Sequence, residues 1–346
     1  MKKCKVAVCV TMICLLSAFV NAPLMAAEKK INIKMAAFFS KQSPAYKVMY
    51  ELPAKMIEQA TNGRARVTIY PSNSLVPIKD AYRATQEGIV DVTWIWGPAT
   101  PGAFPATEIF SLPGFSENQA TSNIVVNELY KKFPEMKKQF SPKVKLISTQ
   151  VHMRSDLHTK VPVRSLADLK GMVIACQNDK VAKAMSMLGA SATQMQIPDM
   201  YTAVERGVVK GTVQAWGSFA VNHMYEVLKY HTMIGVATGT SHWMWCKKTW
   251  DKFTPEEQEK LELLAPWFQN LITVGNIAMS QGPREKFITP ENGHEFIVWS
   301  DTDMKRMKEL FRPIWDELAN DLDAKGYPGK KIIEEGEKLM TAYKNG

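Results

Sequence analysis

The sequence predicts an α/β protein of two domains, and three observations carry that expectation. Short runs rich in Val, Ile and Trp alternate with amphipathic helical stretches from residue 31 onward, as expected where helices pack on a largely parallel sheet. The chain has 346 residues, which leaves enough for two domains of ordinary size once an export segment is set aside. No Gly/Pro/Ser-rich linker divides an N-terminal from a C-terminal half, so the chain is expected to cross between its domains more than once.

The export segment comes first. Lys2, Lys3 and Lys5 precede an apolar run from Val6 to Val20, followed by Ala22, Ala26 and Ala27, the charge, core and small-residue order of a secretory signal peptide. The run is about 15 residues, short of the roughly 20 that span a bilayer as a helix. Cleavage is expected after Ala26 or Ala27, with a retained anchor as the alternative. Cys14 follows Met12 and Ile13 rather than a small residue, which argues against a lipoprotein. Cleavage would take the formal charge from +9 to about +6 by removing three lysines. The remaining basic residues are scattered, with no stripe of the kind that binds nucleic acid.

Ile31 to Ala37 reads as the first strand, followed by a helix from about Ala45 to Thr61 with Pro53 as a kink. Asn62-Gly63 supplies the stop, since both residues tolerate a left-handed backbone. Ala65 to Tyr70 is the next strand. A helix from about Ile78 to Glu87 ends at Gly88 and leads into Val90 to Trp96. Further strands are expected at Val144 to Thr149, Met172 to Cys176, Thr212 to Trp216, Trp243 to Cys246 and Glu295 to Trp299. Val181, Met185 and Leu188 form one apolar helical face closing at Gly189, a core stripe. The longest helical signal starts at Thr254, where Glu257 completes a capping box and Pro255 occupies the first turn. It is expected to run past Pro266 toward Ser280, long enough to bridge two lobes.

Several chemistries are not supported. The six histidines (152, 158, 223, 231, 242 and 294) have no zinc-site spacing, so no metal is expected. Cys176 and Cys246 lack CxxC partners and could pair only if their Cα atoms lie within bridging distance. No G-x-S-x-G elbow, P-loop or G-x-G-x-x-G occurs, so neither catalysis nor a cofactor is expected.

Four sets of motifs then stand in a telling order. The first is Thr61-Asn62-Gly63-Arg64 with Val67 to Pro71, Ser74-Leu75 and Gln86 to Asp91. The second is Leu112-Pro113-Gly114-Phe115. The third is Leu166-Ala167-Asp168-Leu169-Lys170-Gly171 with Gly189-Ala190, Tyr201, Gly207-Val208-Val209 and Gly211. The fourth is Tyr225-Glu226-Val227 with Lys229-Tyr230. Together they resemble, over nearly the full length, the solute-binding subunits of tripartite ATP-independent periplasmic (TRAP) transporters of the dicarboxylate-binding type. The resemblance implies a two-lobed periplasmic binding protein fold with a central ligand cleft. Lobe I would hold residues 27–151 and 240–279, and lobe II residues 152–239 and 280–346. It implies a monomer in the periplasm that captures a small organic ligand and delivers it to the membrane subunits of a TRAP transporter. A ligand sensor for a signalling receptor and a secreted enzyme are the alternatives from other classes.

The resemblance also implies site residues. Family members hold a ligand carboxylate with an Arg that ends the strand after the Asp-Leu-Lys-Gly turn. Here Ala175 stands in that place. A second family Arg is matched by Arg154. The family's aromatic residue and Asn correspond to Ile197 and Gln214. Phe39, Trp96 and Trp216 are favoured among the aromatic residues at strand ends, and Gln177 and Asn178 could offer neutral hydrogen bonds near position 175. A helix-capping role for Asn178 is the equal alternative. With one anion clamp absent and tryptophans numerous, the ligand is expected to be a carboxylate with an apolar or aromatic part.

Overall fold

A computed structural model describes residues 29–116 and 118–344; the signal peptide read over residues 1–26 lies outside the described residues. Two sheets organise the chain. Strands β1 (Ile31–Ala36), β2 (Ala65–Tyr70), β3 (Val92–Trp96), β4 (Val144–Val151) and β10 (Thr240–Cys246) form the first, in the order β2-β1-β3-β10-β4. Strands β5 (Ser155–Thr159), β6 (Val173–Cys176), β7 (Ser191–Gln194), β8 (Gly211–Ala215), β9 (Tyr230–Ala237) and β11 (Glu295–Ile297) form the second, in the order β11-β9-β5-β8-β6-β7. β10 runs antiparallel between β3 and β4, and β5 runs antiparallel between β8 and β9.

The chain passes from one sheet to the other between Val151 and Ser155, and returns between Ala237 and Thr240. A third link is the Ala265–Lys286 helix, which packs on β4 and Pro44–Tyr46 at one end and on the Trp216–Val221 helix at the other. This is the bridging helix expected of a two-lobed protein, with one change. The helix that starts at the Thr254–Glu257 capping box stops at Glu262, and a new one begins at Ala265. Pro266 has no N–H to donate to the Glu262 carbonyl, so a single helix through this point would lose that bond. Pro266 instead sits in a first turn, where that donor is not needed.

The other proline of the early helix acts in the same way. Residues Lys47–Glu51 form a π turn between Pro44–Tyr46 and Leu52–Ala60, and Leu52 N–H reaches back to the Lys47 carbonyl. The wider turn absorbs the i−4 bond that Pro53 cannot make. The stop at Asn62-Gly63 is made as expected, with φ of 48° and 76°. Gly88 likewise ends its helix at φ 79°.

Three strands were not foreseen: β5, β7 and β9. Strand β5 reads Ser-Asp-Leu-His-Thr, and its Asp156 and His158 are fully buried; the partners that make this tolerable come from distant strands. Cys176 and Cys246 are both buried and both free. The Val181, Met185 and Leu188 stripe is buried in one core with Ile174, Phe311 and Leu322. A second core under the first sheet gathers Tyr50, Trp94, Trp243, Trp245 and Phe268. The C-terminal Gly329–Lys344 helix packs on the Gln119–Lys132 helix. Among the described residues no helix is long and apolar enough to cross a membrane.

Candidate functional site

Arg154 lies in the crossing between β4 and β5, and the residue one step beyond its neighbour fixes it. Asp156, on β5, has a side chain only 1% exposed and accepts an ion pair from Arg154 Nε at 3.3 Å. The same carboxylate accepts from the Gly235 backbone N–H at 3.0 Å and from Trp216 Nε1 at 3.2 Å. Burial pushes the Asp156 carboxyl above its ordinary value, opposed first by Arg154 and then by those two donors. The Arg154 stem runs over Gly235, whose φ is +60°; a Cβ there would sit 3.0 Å from Arg154 Cδ. Arg154 also donates to the Met233 carbonyl at 3.5 Å. Arg154, with Lys308, lines two adjoining recesses of ≈ 490 and ≈ 500 Å³, one walled by Phe115, Trp315 and Glu337, the other by Met233, Trp299 and Asp301.

Gln214 and Trp216 join this group. Gln214 is the cross-strand partner of Asp156, and Trp216 is 3% exposed with its N–H committed to Asp156. Arg284, in the last turn of the bridging helix, stands over the Trp216 ring at 5.0 Å. Gln214 is fully buried; its amide N–H donates to Met200 Sδ at 3.1 Å, while its Oε1 has no partner. Ala175 is fully buried in the same small core as Met200 and Trp216, and Ile197 packs against that core. Met200 thus fills space beside position 175.

Gln177 is half-buried beyond the end of β6. Asn178 is exposed and accepts from the Val181 N–H at 3.0 Å, capping the helix that follows. Phe39 and Trp96 belong to the first sheet's side. Phe39 packs near Tyr50, 6.3 Å between ring centroids, and Trp96 is 36% exposed beside the His152 ring of the crossing segment at 6.5 Å. No hydrogen bond or ring contact joins Phe39 or Trp96 to Asp156, Gln214 or Trp216 among the described residues.

Sequence reasoning missed a buried chain of histidines behind Gln214. His158 Nε2 faces the Gln214 carbonyl at 3.1 Å, His158 Nδ1 meets His231 Nδ1 at 2.9 Å, His231 Nε2 meets His294 Nδ1 at 2.9 Å, and His294 Nε2 meets Lys229 Nζ at 3.0 Å. The ends fix the tautomers. A carbonyl only accepts and an ammonium only donates, so His158 carries its proton on Nε2, and His231 and His294 carry theirs on Nδ1. Every link is then satisfied with all three rings neutral. Burial lowers their pKa values to about 3 for His158, about 2 for His231 and about 4 for His294. No three His, Cys, Asp or Glu side chains among the described residues are grouped to hold a metal.

Residues 35–321 match the family model described as bacterial extracellular solute-binding protein, family 7. The C4-dicarboxylate-binding periplasmic protein DctP of Rhodobacter capsulatus is 24% identical over 321 residues, covering 89% of this chain and 92% of that one. A TRAP periplasmic solute-binding protein of Desulfovibrio salexigens, solved as an open complex, superposes with a TM-score of 0.80 at 24% identity, covering 91% of this chain and 97% of that one. A marine metagenome TRAP solute-binding protein specific for aromatic acid ligands, solved with metahydroxyphenylacetate, has a TM-score of 0.74 at 20% identity, covering 91% and 99%.

Proposed function

The chain belongs to family 7 of the bacterial extracellular solute-binding proteins, and from that premise we propose that it captures a small organic acid with an aromatic or apolar body and passes it to the membrane subunits of a TRAP transporter. The observation that carries the reading is Arg154. A guanidinium placed where the chain crosses between sheets, lining open recesses and oriented by a buried carboxylate, is a directional anion contact. The neutral residue at position 175 leaves that single clamp in place of two. Aromatic side chains near the crossing supply an apolar wall, and the neighbour that binds aromatic acids supports the same ligand class. Gln214, Trp216, Gln177, Ile197, Phe39, Trp96 and Asn178 complete the proposed site. Lobe I would comprise 27–151 and 240–279, lobe II 152–239 and 280–346, acting as a periplasmic monomer that closes on its ligand.

Thermal melting in the presence of aromatic acids, short dicarboxylates, amino acids and neutral polyols tests this. A binder of micromolar affinity at millimolar concentration raises the melting temperature by mass action. Shifts confined to acids with an aromatic or apolar body are expected. Shifts confined to polyols would overturn the reading.

A further inference from the structure

The first sheet carries a row of hydrogen-bonding groups that the fold leaves unused. Trp243 on β10 is directly opposite Trp94 on β3 and Ser148 on β4. Opposed residues point to the same face, and adjacent strands lie about 5 Å apart, so the three side chains occupy a strip about 10 Å across. Gln150 lies two residues beyond Ser148 on that face. Trp94, Trp243, Ser148 and Gln150 are 5%, 1%, 8% and 1% exposed. Yet Trp94 Nε1, Trp243 Nε1, Ser148 Oγ and Gln150 Nε2 have no hydrogen-bond partner, and nor does Thr273 Oγ1 of the bridging helix. Thr273 stands one turn after Gln269, which donates to the Thr149 carbonyl at 2.7 Å and so places this helix face over β4.

A buried polar group without a partner costs about 1–3 kcal/mol, and folded proteins rarely leave one so. Five around one strip, three of them N–H groups that can only donate, are a motif looking for an acceptor. The strip ends where the chain crosses to the other sheet: the Trp94 ring lies 5.8 Å from that of His152, two residues before Arg154. We propose that this row is the first sheet's half of the ligand site and binds a second oxygen acceptor, a hydroxyl or carbonyl, on an acid whose carboxylate meets Arg154. The Trp243 indole N–H, at the middle of the strip, and one of the Ser148 and Thr273 hydroxyls donate to that oxygen, and the other hydroxyl accepts its proton where it is a hydroxyl. The proposal rests on the carboxylate reading above.

The test uses Ser148→Ala and Thr273→Val, each removing a hydroxyl with little change of shape, and two probes, metahydroxyphenylacetate and phenylacetate. Deleting an unused buried hydroxyl does not destabilise the ligand-free protein, so both variants should melt no lower than the parent. They should bind metahydroxyphenylacetate about tenfold more weakly and phenylacetate unchanged. A lower melting temperature of the ligand-free variants would show that the hydroxyls are used inside the fold, and would overturn the proposal. So would an equal effect, or none, on the two acids. If neither acid binds the parent protein, the carboxylate reading of the preceding section fails for this class, while the melting comparison still decides whether the row is unused.

Discussion

Arg154 and Asp156 show how one residue's role is set by another two positions away. Asp156 is buried, and Arg154 is the first cause that holds its charge in place. Removing that cation leaves the carboxylate with the Gly235 and Trp216 N–H donors and the weaker influence of Arg284. Arg154→Gln is therefore expected to lose about 1–3 kcal/mol of stability at pH 7.5. The folded-state pKa of Asp156 lies above its ordinary value of 3.8 and rises further without Arg154. The folded variant then takes up a proton before the unfolded chain does, so its deficit shrinks as the pH falls. Urea unfolding of both proteins at pH 7.5 and 5.5 measures this; a deficit that grows at pH 5.5 contradicts it.

The histidine chain gives the opposite slope. His158, His231 and His294 keep folded pKa values of about 3, 2 and 4 against an ordinary 6.5. His152, half-buried, and His242, fully buried, fall to about 4 and 3. Between those values and 6.5 the unfolded chain binds protons that the folded protein refuses. Stability is complete above pH 6.5 and is lost on acidification, at up to about 1.4 kcal/mol per pH unit per histidine. An unfolding midpoint in urea that fell steeply between pH 6.5 and 5 would agree. A midpoint flat over that interval would mean these rings are not buried neutral.

Elements were legible where the local signal and the tertiary need coincide. The Thr254 capping box is an example. Thr254 Oγ1 accepts from Glu257 N–H at 3.2 Å, Glu257 returns a bond to the Thr254 N–H at 2.9 Å, and Glu257 also accepts from Arg64 Nε at 2.7 Å. Thr254→Ala is expected to cost about 1 kcal/mol, read as a lower urea midpoint; no change would mean that the Arg64 pair alone holds the helix start. Ala65 to Tyr70, Gly88 and the Val181, Met185, Leu188 stripe were readable for the same reason. Strand β5 was not, because Asp156 and His158 are buried by virtue of partners 56 to 79 residues away. The break at Leu263-Leu264 was hidden by a continuous apolar pattern, although Pro266 was the available signal.

For the whole molecule, the order of motifs along the chain indicated two lobes before any coordinate did, because a fold in which the chain crosses repeatedly constrains many spacings at once. The site was only partly legible. Arg154, Gln214 and Trp216 are brought together, but the carboxylate that joins them lies on an unforeseen strand. Arg284 reaches Trp216 only because a helix 22 residues long spans the two sheets. Such juxtapositions follow from topology and leave no local trace.

We propose that Arg154 supplies the cationic contact for the ligand carboxylate, with the neutral Ala175 standing where the family resemblance places a second arginine. Calorimetric titration of the acid giving the largest thermal shift, against the parent protein and Arg154→Gln, tests it most directly. Loss of a charge-assisted contact predicts binding about 10- to 100-fold weaker in the variant. An affinity indifferent to Arg154 would contradict the claim and place the anion contact elsewhere in the cleft.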